Sequence, residues 1–401
     1  MSNTVPVGWR LQSLADVATF VMGQAPAGAD CNKEGTGIPF VKAGEFTARY
    51  PVIREWTTAP HKLAKSGDVL ICVVGATAGK LNLGIDCAIG RSVAAIRPEK
   101  TSTLYLYNFM QQHVERLRMG SSGSAQGVIT TEHLKNILAP FPPLPEQQKI
   151  AAILSSVDDV IEKTRAQIDK LKDLKTGMMQ ELLTKGIGHT EFKDSPVGRI
   201  PASWAVKMIG DLGSVVTGST PKTASREYYG GSIPFISPSD INHSMYIQDT
   251  VNSLTEAGLK ETRELPPRTV CVVCIGSTIG KTGITTFRCA TNQQVNAVIC
   301  RGTHPEFVYY LLTYYSKVIK AEAGTQAVPI INKSSFSALP VQLPGYDEQV
   351  EIGNSLASID SQTSLLERKL QSANSLKKAL MQDLLTGKVR VKVDQKESAV
   401  A

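Results

Sequence analysis

Between residues 146 and 184, apolar side chains fall seven apart in two interleaved series: Ile150, Val157, Leu171 and Met178 in one, and Leu154, Ile161, Ile168 and Leu182 in the other. Two offset heptad series place one continuous apolar seam along a long α-helix. Residues 348 to 386 repeat the pattern, with Ile352, Ile359, Leu366 and Leu380 in one series and Leu356, Leu370 and Leu384 in the other. Lys175 and Lys377 interrupt the seam at the same position of each copy, and Met179-Gln180 and Leu182-Leu183-Thr184 return as Met381-Gln382 and Leu384-Leu385-Thr386. A helix with one apolar stripe must bury it, and the nearest partner is its own copy. The first helix leads towards a second globular segment and the second leads away from it. Side-by-side packing therefore predicts an antiparallel pair with pseudo-twofold symmetry, each helix about 58 Å long at 1.5 Å per residue. The alternative is that each helix packs only on its own globular segment. Gly177 lies inside the first helix where the second has Ala379, a local weak point suited to a kink or a close approach by a partner.

The segments before each helix read differently. Short β-rich runs such as Val69 to Val74 and Val270 to Ile275 are separated by Gly, Pro, Ser and Asn clusters, and a helix is predicted late in each, over Leu104 to Arg118 and Pro305 to Glu322. These segments are also copies. Pro6, Trp9, Gly23, Pro26 and Ile38-Pro39-Phe40 recur 195 residues later as Pro201, Trp204, Gly218, Pro221 and Ile233-Pro234-Phe235. Further on, the offset drifts to 202, through Gly75-x-Thr77-x-Gly79-Lys80 and Gly276-x-Thr278-x-Gly280-Lys281 to Glu146-Gln147 and Glu348-Gln349, which assigns small insertions to loops. The expected fold class is α+β: two β-rich domains separated by two long antiparallel coiled-coil helices in an internal repeat. The expected boundaries are 1–145, first globular domain; 146–190, first helix; 191–345, second domain; 346–392, second helix; and 393–401, a disordered C-terminal tail.

Composition narrows the class. With 42% hydrophobic and 20% charged residues over 401 positions, the chain is that of a globular protein of two or three domains. No apolar run approaches the ~20 residues of a membrane span, and the start MSNTVPVGW lacks a basic stretch followed by an apolar core, so a cytoplasmic protein without membrane association is expected. Seven cysteines spread along the chain suit a reducing compartment, and Cys271 and Cys274 lie inside an apolar strand with no second ligand pair for zinc. Residues 1 to 145 carry 14 Lys/Arg against 10 Asp/Glu and residues 196 to 345 carry 13 against 9, so each globular segment holds its own basic excess, compatible with two contacts to a polyanion.

Catalytic chemistry is not apparent. Gly276-Ser277-Thr278-Ile279-Gly280-Lys281-Thr282 resembles a phosphate-binding loop but has three residues between its glycines where four are needed, and the first copy has Leu81 in place of the magnesium-binding hydroxyl. No base-methylation tetrapeptide, GxGxxG, HExxH or GxSxG stands out, and six histidines, His61 among them, are scattered, so no catalytic or metal-ligating residue is assigned. Polar loops remain. Gly120 to Gly127 is rich in hydroxyls and its counterpart brings Gln326; Arg91-Ser92 and Asn292-Gln293-Gln294 follow corresponding strands. Candidate DNA contacts are Lys42, Lys80, Arg91, Ser121, Ser124 and Gln126 in the first copy, and Lys222, Lys281, Gln293, Gln294, Gln326 and Asn332 in the second. Glutamine can bond adenine twice, and lysine can meet a phosphate.

The arrangement resembles the specificity subunit of type I restriction-modification systems over essentially the whole chain. PVGW and PASW are similar to that family's domain openings, IPFVKAGE and IPFISPSD to its early strand segment, GATAGK and GSTIGK to its glycine turn, and FPPLPEQQKIAAIL and LPGYDEQVEIGNSL to the starts of its helices. The resemblance implies a non-catalytic subunit whose two target-recognition domains each read half of a split site in double-stranded DNA. Its helices would set the gap and dock two modification subunits, with restriction subunits joining some assemblies. S-adenosylmethionine, ATP and magnesium would belong to those partners and not to this chain. The competing classes are a free-standing DNA methyltransferase or nuclease, and a protein-binding scaffold.

Overall fold

A computed structural model describes residues 5–121, 128–242, 244–324 and 328–393. The chain divides into two compact units, residues 1–165 with 369–401, and residues 166–368. The architecture is α+β, a strand-rich body in each unit and two long helices, Leu144–Lys185 and Tyr346–Leu384. Each long helix gives its first part to one unit and its second part to the other.

In the first unit an antiparallel sheet runs in the order Ala18–Met22, Val93–Pro98, Val69–Cys72, Leu81–Leu83. In the second the order is Gly213–Thr217, Val295–Cys300, Val270–Val273, Thr282–Thr285, with Tyr246–Ile247 added in parallel. Registers match between the copies: Ala94 faces Met22 as Asn296 faces Thr217, and Val93 faces Cys72 as Val295 faces Val273. The central strands are apolar throughout because both faces are covered. Val69 and Ile71 point into a core with Tyr105, Phe109 and Met110 of the helix Thr103–Ser121, whereas Leu70 and Cys72 enter a second core with Val41 and Ile89. The second unit does the same with Val270 and Val272 against Phe307 and Leu311, and with Cys271 and Val273 against Ile236 and Ile241. Side chains alternate along a strand, so Cys271 and Cys274, three apart, enter different cores. They cannot share a metal ion, and burial pushes the Cys274 thiol up to about 12.

The seam is buried as its periodicity requires. Ile150, Leu154, Ile161, Ile168, Ile352, Leu356, Ile359 and Leu384 are buried, and Val157, Leu171, Met178, Leu182, Leu366, Leu370 and Leu380 are half-buried. Within each unit the two helix segments run antiparallel. In the second unit Lys175 pairs with Asp360 and Lys172 with Glu367; in the first, Lys377 pairs with Asp158, and Leu384 joins Ile150 and Leu154 in one core. The interrupting lysines are thus matched to duplicated aspartates, and each also meets its unit's strand-rich body: Tyr310 donates to Asp360 Oδ2 at 2.6 Å, and Lys377 donates to Gln111 at 3.0 Å.

The repeated Trp and Glu-Gln motifs fasten each body to the start of its following helix. Trp9 Nε1 donates to Glu146 Oε2 at 3.0 Å, and Trp204 Nε1 to Glu348 Oε2 at 2.9 Å. Gln147 accepts from Thr101 and Ser102 and donates to the Pro142 carbonyl; Gln349 accepts from the His304 N–H and donates to the Pro344 carbonyl. Each glutamate also receives the chain that leaves a long helix: Arg390 bonds Glu146 through Nε and Nη2 at 2.7 and 2.8 Å, while Ile187 N–H and His189 Nε2 lie 3.0 and 2.9 Å from Glu348 Oε1.

Gly177 lies inside the first long helix with open space beside it. The helix runs unbroken through it, and a Cβ added there would have nothing within 4 Å. Gly177→Ala should therefore stabilise the protein by up to about 1 kcal/mol through helix propensity alone, measured as a shift in urea midpoint. A loss of assembly with partner subunits in a stabilised variant would reveal a docking surface that requires the bare glycine.

Candidate nucleic-acid interface

Four backbone hydrogen bonds recur in the two units and gather the polar segments at one end of each main sheet. In the first unit Gly23 N–H donates to Val93, Gln24 to Ile89, Val73 to Ser92 and Ile129 to Val73, at 2.8–3.0 Å. In the second, Gly218 donates to Val295, Ser219 to Thr291, Cys274 to Gln294 and Ile331 to Cys274, again at 2.8–3.0 Å. The exit of the first edge strand, the end of the central strand, the loop before its neighbour and the segment after the polar loop thus lie side by side. The approach is close enough to require glycine: a Cβ at Gly23 would come within 2.2 Å of the Gly90 carbonyl, and one at Gly218 within 2.1 Å of the Asn292 carbonyl.

The glycine turn belongs to the same end. Gly75 and Gly79 have φ of +73° and +83°, Gly276 and Gly280 of +98° and +89°, and each turn leads into a strand, Leu81–Leu83 or Thr282–Thr285. A phosphate-binding loop needs a helix N-terminus at that point, so the resemblance to one is confined to the letters. Gly79 and Gly280 let the turn press on the following helix, where a Cβ would meet Val114 at 2.6 Å or the Ser316 carbonyl at 2.9 Å.

On this frame the side chains differ. Arg91 and Ser92 occupy the places of Gln293 and Gln294, since Ser92 and Gln294 offer the matched carbonyls. Arg91 and Lys80 are exposed and make no side-chain hydrogen bond or ion pair among the described residues. Lys42 runs past Gly90 beside them, with Nζ tied to Glu55 and 5.5 Å from the Phe40 ring centroid. In the second unit Gln293 accepts from the Thr220 hydroxyl, and Gln294 accepts from Asn292 Nδ2 at 3.1 Å, which leaves both glutamine NH2 groups able to donate. Lys222 is exposed on the same segment as Thr220, and Lys281 is half-buried after its turn. Asn332 follows Ile331 and caps the short helix Lys333–Ser337, its Oδ1 accepting from Ser335 N–H at 2.8 Å, so one of its polar atoms is already committed. Ser124, Gln126 and Gln326 lie outside the described residues, as does the side chain of Ser121. The role of Thr220 in holding Gln293 has no mark in the sequence beyond its place after Gly218.

Among the described residues no three His, Cys, Asp or Glu side chains gather as metal ligands, and no helix is long and apolar enough to cross a membrane.

Comparison with known proteins places these observations. A family model described as the type I restriction modification DNA specificity domain matches twice, over residues 6–173 and 201–375. The type I restriction enzyme MjaVIII specificity subunit of Methanocaldococcus jannaschii is 27% identical over 97% of this chain and 94% of its own length. The MjaIX specificity subunit of the same organism is 32% identical over 48% of this chain and 45% of its own length. Among solved structures, the type I restriction-modification system S subunit from M. genitalium superposes with a TM-score of 0.66 at 15% identity, covering 96% of this chain and 98% of that one, a likeness of fold.

Proposed function

The chain belongs to the type I restriction modification DNA specificity family, and from that membership we propose that each strand-rich body reads one half of a bipartite site in double-stranded DNA. The observation that carries the proposal is the shared frame with different side chains, Arg91-Ser92 in one unit and Gln293-Gln294 in the other. An arginine fork donates to guanine O6 and N7, whereas a glutamine amide both donates to and accepts from adenine. Two identical frames that present different donor sets suit two different half-sites. Lys80, Lys222 and Lys281 border these loops and would contact phosphates, which fix position without reading sequence.

The long helices set the gap between half-sites and offer docking faces to two methyltransferase subunits, joined in some assemblies by restriction subunits. Base methylation with S-adenosylmethionine, and any ATP- and magnesium-dependent translocation and cleavage, belong to those partners. This chain supplies recognition and no reaction step of its own.

The test is to exchange residues 1–140 for the equivalent body of a relative, co-express the hybrid with its modification partner, and map the adenines that become methylated. One half of the target should change and the other stay as it was; a change in both halves would refute the modular reading. The purified chain with DNA, S-adenosylmethionine and magnesium should show no turnover. Salt-dependent DNA binding should favour one bipartite sequence, which a mere protein scaffold would not do.

A further inference from the structure

Several cations of the two strand-rich bodies are already neutralised by carboxylates. Lys42 pairs with Glu55, Arg49 with Asp159, Arg97 with Asp68, Arg268 with Glu306, and Arg288 with both Glu256 and Glu264. Besides Lys80, Arg91, Lys222 and Lys281 of the candidate loops, a further matched pair of cations has no carboxylate partner among the described residues. Lys62 and Arg263 stand seven residues before Val69 and Val270, the first residues of the two central strands, so they are copies of one position. Both are exposed, and neither has an acidic partner among the described residues. The carboxylates nearest in sequence are occupied elsewhere: Asp68 by Arg97, and Glu264 by Arg288.

Both positions are anchored to the segments that form the candidate interface. Arg263 Nη1 donates to the carbonyl of Thr217, the residue before Gly218, whose own N–H holds the exit segment against Val295. That single bond leaves most of the guanidinium's N–H groups free in a fixed orientation. In the first unit the carbonyl of Lys62 accepts from Ile89 N–H at 3.0 Å, two residues before Arg91. The contact differs: it holds the side chain of Arg263 and only the backbone of Lys62, but each places its residue beside the corresponding loop.

We propose that Lys62 and Arg263 are phosphate-contacting residues, one for each half-site, that hold the DNA backbone while the neighbouring loops read bases. The inference rests on the reading of those loops as DNA-facing. Phosphate contacts carry no base preference, so their removal weakens binding alike on every sequence and reduces its dependence on salt.

The experiment uses the full chain assembled with its modification subunits. Lys62→Gln and Arg263→Gln are compared with the unaltered protein for binding to its methylated target sequence and to a duplex with one half-site scrambled, across a salt series. Glutamine keeps a donor for the Thr217 carbonyl. Each variant should lower the slope of log K against log salt by about 0.9, with affinity falling by the same factor on both duplexes and the same adenines methylated. Lys62→Arg and Arg263→Lys should restore the slope, which separates a charge effect from a folding defect. An unchanged slope, or a change in which bases are preferred, overturns the proposal. If the unaltered protein binds both duplexes equally, the half-site reading fails, and the variants' slopes still decide the contact.

Discussion

Trp204→Ala is expected to destabilise the second unit by about 3–5 kcal/mol, the range for removing a large aromatic side chain from a packed core. Trp204 is only 1% exposed and packs with Leu183, Ile200 and Ile352, so its loss opens a cavity among three chain segments far apart in sequence. It also removes the indole donor from Glu348, although Ile187 N–H and His189 remain on that carboxylate. Trp9→Ala should act similarly on the first unit, where Arg390 both bonds Glu146 and lies 5.7 Å from the Trp9 ring centroid. Hydrogen exchange resolved by peptide would locate the loss: protection should drop around residues 183 to 187 and 346 to 356 for Trp204→Ala, and around 146 to 154 and 384 to 391 for Trp9→Ala. A loss below about 1 kcal/mol in either case would mean that the bodies do not depend on these fastenings.

The second large effect concerns the polar interruption of the helix seam. Asp360→Ala would leave the Lys175 ammonium, 24% exposed, and the Tyr310 hydroxyl without their shared acceptor. Burial, and after it the bond to Asp360, raises the pKa of Tyr310, so the phenol stays protonated and cannot supply a charge of its own. Breaking a fully buried pair costs about 3–5 kcal/mol, and the residual exposure here reduces the expectation to about 2 kcal/mol. Lys175→Met should cost less, because methionine suits an apolar seam and Asp360 keeps the Tyr310 hydroxyl. The double variant Lys175→Met with Asp360→Leu should recover most of the stability lost by Asp360→Ala, as hydrophobic replacement of buried ion pairs often does. A double-mutant cycle by urea denaturation should give a coupling of about 1–2 kcal/mol between Lys175 and Asp360. Strict additivity would remove the pair as a determinant of helix register. The Lys377 and Asp158 pair offers the same cycle in the first unit.

Polar groups placed in an apolar seam specify alignment more than they add stability, since a slipped register would bury them unpaired. Here a lysine and an aspartate seventeen residues away appear in each copy, and each lysine finds the aspartate of the opposite copy. Reciprocity follows from duplication, because an antiparallel pair of identical helices brings equivalent positions together twice.

Much of this protein was legible in its sequence. Heptad spacing is a local property of one helix, so the buried seam could be read residue by residue from Ile150 to Leu384. The duplicated letters located the bodies, their apolar central strands and their glycine turns, because a repeat displays which positions share a role even before that role is known. Arg91-Ser92 and Gln293-Gln294 were recognisable as equivalent positions on that ground alone.

What only the tertiary structure decided concerns partners distant along the chain. Nothing in the run VCVVCI tells which core a cysteine enters; the pleat of the strand sends Cys271 and Cys274 to different ones. Lys42 and Lys80 look alike as exposed cations in sequence, yet Glu55 neutralises the first and no side chain pairs with the second among the described residues. The interrupting lysines were visible as matched departures from the seam, while their aspartates were not, since the pairing depends on which helix lies alongside and in which direction. Local periodicity determined the elements and their repetition. Long-range electrostatics and packing decided which polar groups are spent inside the fold and which remain exposed and unpaired among the described residues, because both depend on distances that the order of residues does not record.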